Sequence, residues 1–463
     1  MPTSRRRFLQ SLSAVPFLQG EAKAPNFLFL LTDDQRFDTI RALGNSVIQT
    51  PNMDRLVARG VTFTDACTQG GLTGAICQPS RAQILTGRNV FQAHKAIVDR
   101  QDTPDPAVLT FPEHLRANGW QTFHTGKWHL GPKLFQRSFA AGADIFFGGM
   151  TDQQHVKLHD YSADGAYPEE KARTGEKFSS EIFADAAVNY LKNHDAKKPF
   201  LLSVAFTSPH DPRTAPARFA ELYKPEKMVL PPNFVPRHIF DTGDMAVRDE
   251  LLAASPRVPA EIRRHIADYY AMISEVDFQI GRIIDALDAS GEADNTYIVF
   301  AGDNGLALGQ HGLMGKQNLY ECSLRVPLIL AGPSIPKDKR NASLCNLMDI
   351  APTITDLAGR PLHTWGDGRS LAGPARENRL VERSSTWAAY RNVQRSLRVG
   401  DYKLIVYQVG NDDSTQLFNL ADDPDEVINL AGESRHNGRI KRMRKQLAQT
   451  THAAGDTATW ISA

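Results

Sequence analysis

The sequence predicts an α/β fold built on a large, mostly parallel sheet flanked by helices, followed by a smaller α+β subdomain. Three short continuous apolar runs carry that expectation: 26–32 (NFLFLLT), 200–206 (FLLSVAF) and 297–301 (YIVFA). Runs of this kind mark strands covered on both faces, the situation of a parallel sheet between helices. Helical patterns alternate with them. Residues 51–59 read as a helix with Thr50 as N-cap, Pro51 in the first turn and Gly60 just past the end. Residues 262–289 keep helical spacing and close at Gly291.

A chain of 463 residues exceeds one ordinary core and points to two domains. The texture changes after about 359, where Gly366, Gly368 and Gly373 loosen the chain. Residues 396–407 (SLRVGDYKLIVY) then alternate like a hairpin, and 416–420 (QLFNL) add another strand. Asp422-Asp423-Pro424 turns into a final helix over 438–450. The expected division is 1–24, 25–360 and 361–463. Segments 150–180 and 208–260, rich in Pro, Asp and charge, read as long surface loops, the usual place for substrate selection.

Composition is that of a soluble globular protein, 41% hydrophobic and 23% charged, so neither a membrane domain nor a disordered chain is expected. Net charge is +1, which gives no basic field for nucleic acid. Ser4-Arg5-Arg6-Arg7-Phe8-Leu9-Gln10 looks like a twin-arginine export signal. A short apolar stretch, 12–18, and the A-x-A site Ala22-Lys23-Ala24 follow. The leader is too short to span a membrane, and no later run is long enough. Export across a bacterial inner membrane by the twin-arginine machinery, to the periplasm or beyond, is therefore expected. The leader holds four basic residues against Glu21, so the remainder is slightly acidic and any anion recognition is local.

The polar residues of interest follow the three apolar runs: Asp33-Asp34, Ser208-Pro209-His210, and Gly302-Asp303-Asn304-Gly305. Open α/β sheets place ligands at the carboxyl ends of their strands. Adjacent side chains on a strand face opposite ways, so Asp33 and Asp34 converge on one ion only where the strand has ended. With Asp303 and Asn304 they offer three carboxylates and one amide oxygen, a donor set for Ca²⁺ or Mg²⁺. No C-x-x-C or H-E-x-x-H supports zinc. Four cysteines, Cys67, Cys77, Cys322 and Cys345, allow few disulfides, and the sequence does not select a pair. Trp120, Trp128 and Trp365 read as packing residues.

Cys77-Gln78-Pro79-Ser80-Arg81 is followed by Leu85-Thr86-Gly87-Arg88. A thiolate ester-cleaving site of the tyrosine-phosphatase kind needs a longer Cys–Arg spacing, and at that spacing this chain has Gln83. The pattern C-x-P-S-R-x-x-x-L-T-G-R instead resembles the signature of the sulfatase family, in which the cysteine is oxidised to Cα-formylglycine. Gly126-Lys127-Trp128-His129-Leu130-Gly131 resembles a second family motif. The resemblance extends from Asp33 to the Leu417-Phe418-Asn419-Leu420 strand. Asn304 stands where many relatives have His.

This resemblance implies an alkaline-phosphatase-like α/β core and a type I, formylglycine-dependent sulfatase. The Cys77 aldehyde would hydrate, attack sulfur, expel the alcohol and release sulfate from a covalent sulfate ester. The resemblance assigns Asp33, Asp34, Asp303, Asn304 and the modified Cys77 to one Ca²⁺. Lys127 and Lys316 would bind sulfate oxygens, and Arg81 would fix the diol. His129 would take the diol proton during release, and His210 would protonate the leaving oxygen. Its partners would be a sulfated small molecule or carbohydrate and a formylglycine-generating enzyme. Two rival readings are a phosphonate or phosphate monoester hydrolase and a catalytically silent carbohydrate-binding homologue.

Overall fold

The computed structural model describes residues 23–362 and 366–462. Residues 1–22 of the expected export signal (1–24), and Trp365, lie outside the described residues. At the leader's end, Lys23 Nζ pairs with Glu292 Oε2 at 2.9 Å.

In chain order the strands are β1 (Asn26–Thr32), β2 (Gly60–Cys67), β3 (Gly70–Gly71), β4 (Gln121–Lys127), β5 (Ala141–Phe146), β6 (Lys157–Leu158), β7 (Arg173–Thr174) and β8 (Phe200–Ala205). They continue as β9 (Thr296–Gly302), β10 (Leu328–Ala331), β11 (Lys339–Asn346), β12 (Ser385–Tyr390), β13 (Gln394–Val399), β14 (Tyr402–Val409) and β15 (Asp412–Asn419). Eight form one sheet in the order β11-β2-β10-β9-β1-β8-β4-β5. Only β10 runs against its neighbours there, so the sheet is mixed and mostly parallel.

The three apolar runs are β1, β8 and β9, adjacent at the sheet's centre. On β1, Phe27, Phe29 and Leu31 enter one apolar layer while Leu28 and Leu30 enter the other. Each such side chain contributes about 1.5–3 kcal/mol by leaving water. A run without polar alternation is thus what a strand covered on both faces requires. Leu31 lies opposite both Ala205 and Ala301, and Gly126 of β4 lies opposite Ala205. Strands β9, β1, β8 and β4 therefore end level, and the residues after them emerge together at one edge.

The Pro51–Arg59 helix forms as expected, but its cap differs. Thr50 makes no side-chain capping bond. Asp277, on the long helix Pro259–Ala289, accepts from the amides of Asn52 (3.0 Å) and Met53 (2.6 Å) instead. A carboxylate against those free N–H groups is favoured by hydrogen bonding and by the helix dipole.

The smaller sheet runs β15-β14-β13-β12-β3. β12 to β15 are antiparallel, as the alternation of 396–407 predicts, with the turn at Gly400. The fifth strand, Gly70–Gly71, joins β12 in parallel from the other end of the chain. A two-residue glycine edge has no periodicity to read, so this link was invisible in the sequence. The Asn437–Ala453 helix seats Met443 and Leu447 against Leu397, Leu404 and Leu417. Among the described residues no helix is long and apolar enough to cross a membrane.

Candidate active site

Asp33 and Asp34 follow β1 directly. Asp34 has φ 64°, the left-handed region that Asp tolerates better than most residues. This turn aims the two neighbouring carboxylates at one pocket. Tyr269 of the long helix holds the turn: its hydroxyl donates to Asp34 O at 2.6 Å and accepts from Arg36 N at 3.0 Å.

Cys77 opens the Cys77–Thr86 helix, which stops at Gly87 (φ 64°). Its sulfur lies 3.0 Å from Asp33 Oδ1 and 3.6 Å from Asp34 Oδ1. Burial, then the Asp33 charge, push the Cys77 thiol well above its ordinary range, against the pull of Lys127 and Lys316. A thiol held protonated is a poor nucleophile. One turn on, Arg81 Nε donates to Asp303 Oδ2 at 3.0 Å and Nη1 to Lys127 O at 2.6 Å. Gln83 turns back along its own helix to Pro79 O, so it takes no part in the site.

Lys127, the last residue of β4, is fully buried and donates to Asp33 Oδ2 and Gly149 O. Gly126 before it has φ 97°, and a Cβ there would run into the Ala205 carbonyl oxygen on β8. Only glycine lets β4 pair that closely. Lys316 Nζ donates to Asp34 Oδ1 (2.7 Å) and Oδ2 (3.0 Å) and to Cys77 Sγ (3.1 Å). Three cations thus meet three carboxylates in a buried pocket. Burial alone would raise the Asp33 carboxyl, yet Lys127, His210, Arg81 and Lys316 together hold it well below the usual range. Asp303 goes the other way, raised by burial and by Asp33.

His210 lies beyond Asp34, with Nε2 3.7 Å from Asp34 Oδ2 and Nδ1 2.8 Å from Asp211 O. His129 has φ 65°, and its Nδ1 is buried with no hydrogen-bond partner among the described residues. Burial, then Lys127 and Arg81, lower its basicity well below the ordinary value. Its imidazole is therefore neutral at neutral pH.

Asp33, Asp34, Cys77 and His210 offer ligand atoms all within 4.8 Å of one another. Asn304 adds a buried side-chain oxygen with no hydrogen-bond partner among the described residues, while its nitrogen donates to Asp34 Oδ1 at 2.7 Å. An orphaned amide oxygen beside buried carboxylates fits a hard cation. Asp303 stands one step back: Oδ1 accepts the Asp34 amide at 3.0 Å and Oδ2 holds Arg81. All the sequence-derived site residues therefore converge on one pocket.

His311 is placed apart from them. It stacks on Tyr320 at 3.7 Å and bonds Asn233, a structural setting. Arg36 pairs with Asp38 rather than with the pocket. Trp120 and Trp128 are buried packing residues, and all four cysteines are free. Tyr269 escaped notice in the sequence because it also fits the helix's apolar period. So did Gln153, whose amide holds His210 O at 3.1 Å from within an apparent loop.

A family model described as Sulfatase matches residues 25–360, and one described as N-sulphoglucosamine sulphohydrolase, C-terminal, matches 309–453. A curated N-acetylglucosamine-6-O-sulfatase of Bacteroides thetaiotaomicron is 29% identical, over 93% of this chain and 87% of that protein. A structure solved in complex with its substrate D-glucosamine-2-N,6-O-disulfate superposes with a TM-score of 0.79 at 24% identity, covering 94% of this chain and 99% of that one. The phosphonate monoester hydrolase of Agrobacterium radiobacter superposes at 0.73 with 21% identity, covering 94% and 97%. The fold is the alkaline-phosphatase-like one that the motifs implied. The chain belongs to the sulfatase family and is a sulfuric ester hydrolase.

Proposed function

We propose that this enzyme hydrolyses a sulfate monoester of a carbohydrate, using Cys77 in its formylglycine form. The observation that carries this reading is the Cys77 environment. The thiol sits at the centre of the charged pocket, yet burial and Asp33 keep it protonated. The unmodified side chain is unsuited to attack, and an oxidised one, once hydrated, would supply hydroxyls for covalent catalysis.

Asp33, Asp34, Asn304 and the modified Cys77, with Asp303 behind them, would hold Ca²⁺, which would supply positive charge for sulfate oxygens and lower the pKa of a bound hydroxyl. Lys127 and Lys316 approach the Cys77 side from Asp33 and Asp34 and would grip two sulfate oxygens. Arg81 fixes the floor by joining Asp303 to the end of β4. His129, whose buried Nδ1 has no partner among the described residues, would take the diol proton during release. His210, with Nε2 3.7 Å from Asp34 Oδ2, would donate a proton to the departing alcohol.

The carbohydrate rests on the glucosamine sulfatase relative and the disulfated glucosamine of the superposed structure. Export by the twin-arginine route to the periplasm or beyond rests on the Arg5–Arg7 leader motif. The 25–360 and 361–463 division remains our reading of the domains.

The phosphonate hydrolase likeness makes phosphoryl chemistry the second reading. Lys127, Lys316 and Arg81 are each matched by a carboxylate. The positive charge beyond these pairs would come from the ion alone, which suits a singly charged sulfate or phosphonate ester better than a doubly charged phosphate ester. Turnover of aryl sulfate, aryl phosphate and aryl phosphonate monoesters by the modified enzyme separates the readings. Preference for sulfate supports the first, and preference for phosphonate rejects it.

A further inference from the structure

Lys316 and His210 flank Asp34 but come from separate segments. The short 3-10 turn Arg248–Leu252, inside the apparent loop 208–260, touches both. Arg248 grips the Asp211 carboxylate with both guanidinium nitrogens, and Asp211 directly follows His210. The same guanidinium reaches Met150 Sδ at 3.0 Å, next to Gly149, whose carbonyl holds Lys127.

Asp249 accepts from Arg248 Nη2 through Oδ1 at 2.7 Å and carries its other oxygen toward the Lys316 segment. Its Oδ2 accepts from Gln317 Nε2 at 2.8 Å, and Gln317 Oε1 accepts from the Lys316 amide at 3.0 Å. That Nε2 also donates to Gly74 O at 2.9 Å, shortly before Cys77. Glu250 completes the series: its carboxylate accepts the amides of Met314 and Gly315 at 3.1 and 3.0 Å. Asp249 and Glu250 are buried, whereas the Arg248 side chain is 45% exposed at the rim.

Three consecutive charged residues each bind the neighbour of a site residue. A turn that merely closes a loop needs none of this. We infer that Arg248, Asp249 and Glu250 form a clasp that sets the spacing between His210 and Lys316. It thereby aligns the leaving-group side of the site with the sulfate side. These are positioning residues, and the inference rests on the roles proposed above for His210 and Lys316. The bidentate Arg248–Asp211 contact fixes direction as well as distance, which a lysine does not reproduce.

The test uses the full chain made with a formylglycine-generating enzyme, a series of aryl sulfates from good to poor leaving groups, and inorganic sulfate as inhibitor. Arg248→Gln is expected to lose about 10- to 100-fold in kcat/KM on poor leaving groups and far less on good ones. Its inhibition by sulfate should change far less than in Asp249→Ala, because Asp249 keeps its Gln317 contact, and Arg248→Lys should recover part of the loss. Asp249→Ala should weaken sulfate inhibition and lower kcat/KM evenly across the series. Asp249→Asn, which keeps an oxygen for Gln317, should recover most of it. A purely structural role would move both readouts together with Tm, and that pattern overturns the clasp, as does no change in either. His210→Ala and Lys316→Ala run alongside. If they show the leaving-group and sulfate signatures and the clasp variants do not, the clasp alone fails. If they lack those signatures, the role assignment fails and the clasp with it.

Discussion

The ammonium of Lys316 lies 3.1 Å from the sulfur of Cys77 and 2.7 Å from Asp34 Oδ1. One buried cation thus touches both the residue to be modified and a carboxylate of the expected metal site. Burial would lower the Lys316 pKa, but the Asp34 and Asp249 carboxylates raise it well above its ordinary value, so it stays charged. Lys316→Ala should cost roughly 10²–10³ in kcat/KM, the scale of losing one preorganised charge-stabilising donor. Steady-state kinetics on an aryl sulfate checks this, and a loss below threefold (about 0.7 kcal/mol) would remove Lys316 from the account.

Metal dependence follows from the orphaned Asn304 oxygen and the buried carboxylates. Chelator dialysis should lower both activity and Tm, and Ca²⁺ should restore both. An ion at about 100 times its Kd stabilises by about 2.7 kcal/mol, enough to read as a Tm shift. Asp34→Asn should blunt that shift.

Glu275 sits inside the long helix, with Oε1 bonded to Gln279 Nε2 at 2.8 Å. Burial pushes its carboxyl up to about 7 from 4.5, despite that bond. The fold thus favours the protonated form, and stability falls as pH rises from the unfolded value through about 7. Glu275→Gln removes the titration. It should flatten that part of the stability–pH curve and make the protein more stable than wild type above pH 7, by at most about 3 kcal/mol. Denaturant unfolding at pH 5 and pH 8 reads the difference directly.

Asp277→Ala would leave the Asn52 and Met53 amides without their buried acceptor. A loss of about 2–4 kcal/mol is expected, from one or two unsatisfied buried groups. Activity below the melting transition should persist, since the Asp277 carboxylate bonds Asn52 and Met53 and no pocket residue. Loss of activity without loss of Tm would contradict that assignment.

Much of this architecture was legible in the chain. The runs 26–32, 200–206 and 297–301 are apolar throughout because β1, β8 and β9 are covered on both faces. β4 was harder to see. Its sequence, QTFHTGK, mixes polar residues whose partners come from elsewhere, as when His124 bonds Ser203 on β8. The pocket was legible too, because its side chains follow strand ends that the register brings level. What supports it was not. Tyr269 on Asp34, Asp277 on Asn52 and Arg248 on Asp211 are long-range contacts. A sequence shows such partners only as ordinary polar residues in helices and loops. The segment 208–260 looked like a variable loop for the same reason: its order comes from ion pairs rather than from periodicity.

The claim on which the rest depends is that Cys77 does not act as a thiol. The direct measurement is the mass of the peptide spanning Cys77, from protein made with and without a formylglycine-generating enzyme, alongside turnover of each sample. The account predicts an aldehyde in place of the thiol only in the first sample, with activity following the modified fraction and Cys77→Ala inactive but folded. Full activity from a sample whose peptide carries only the thiol would contradict it.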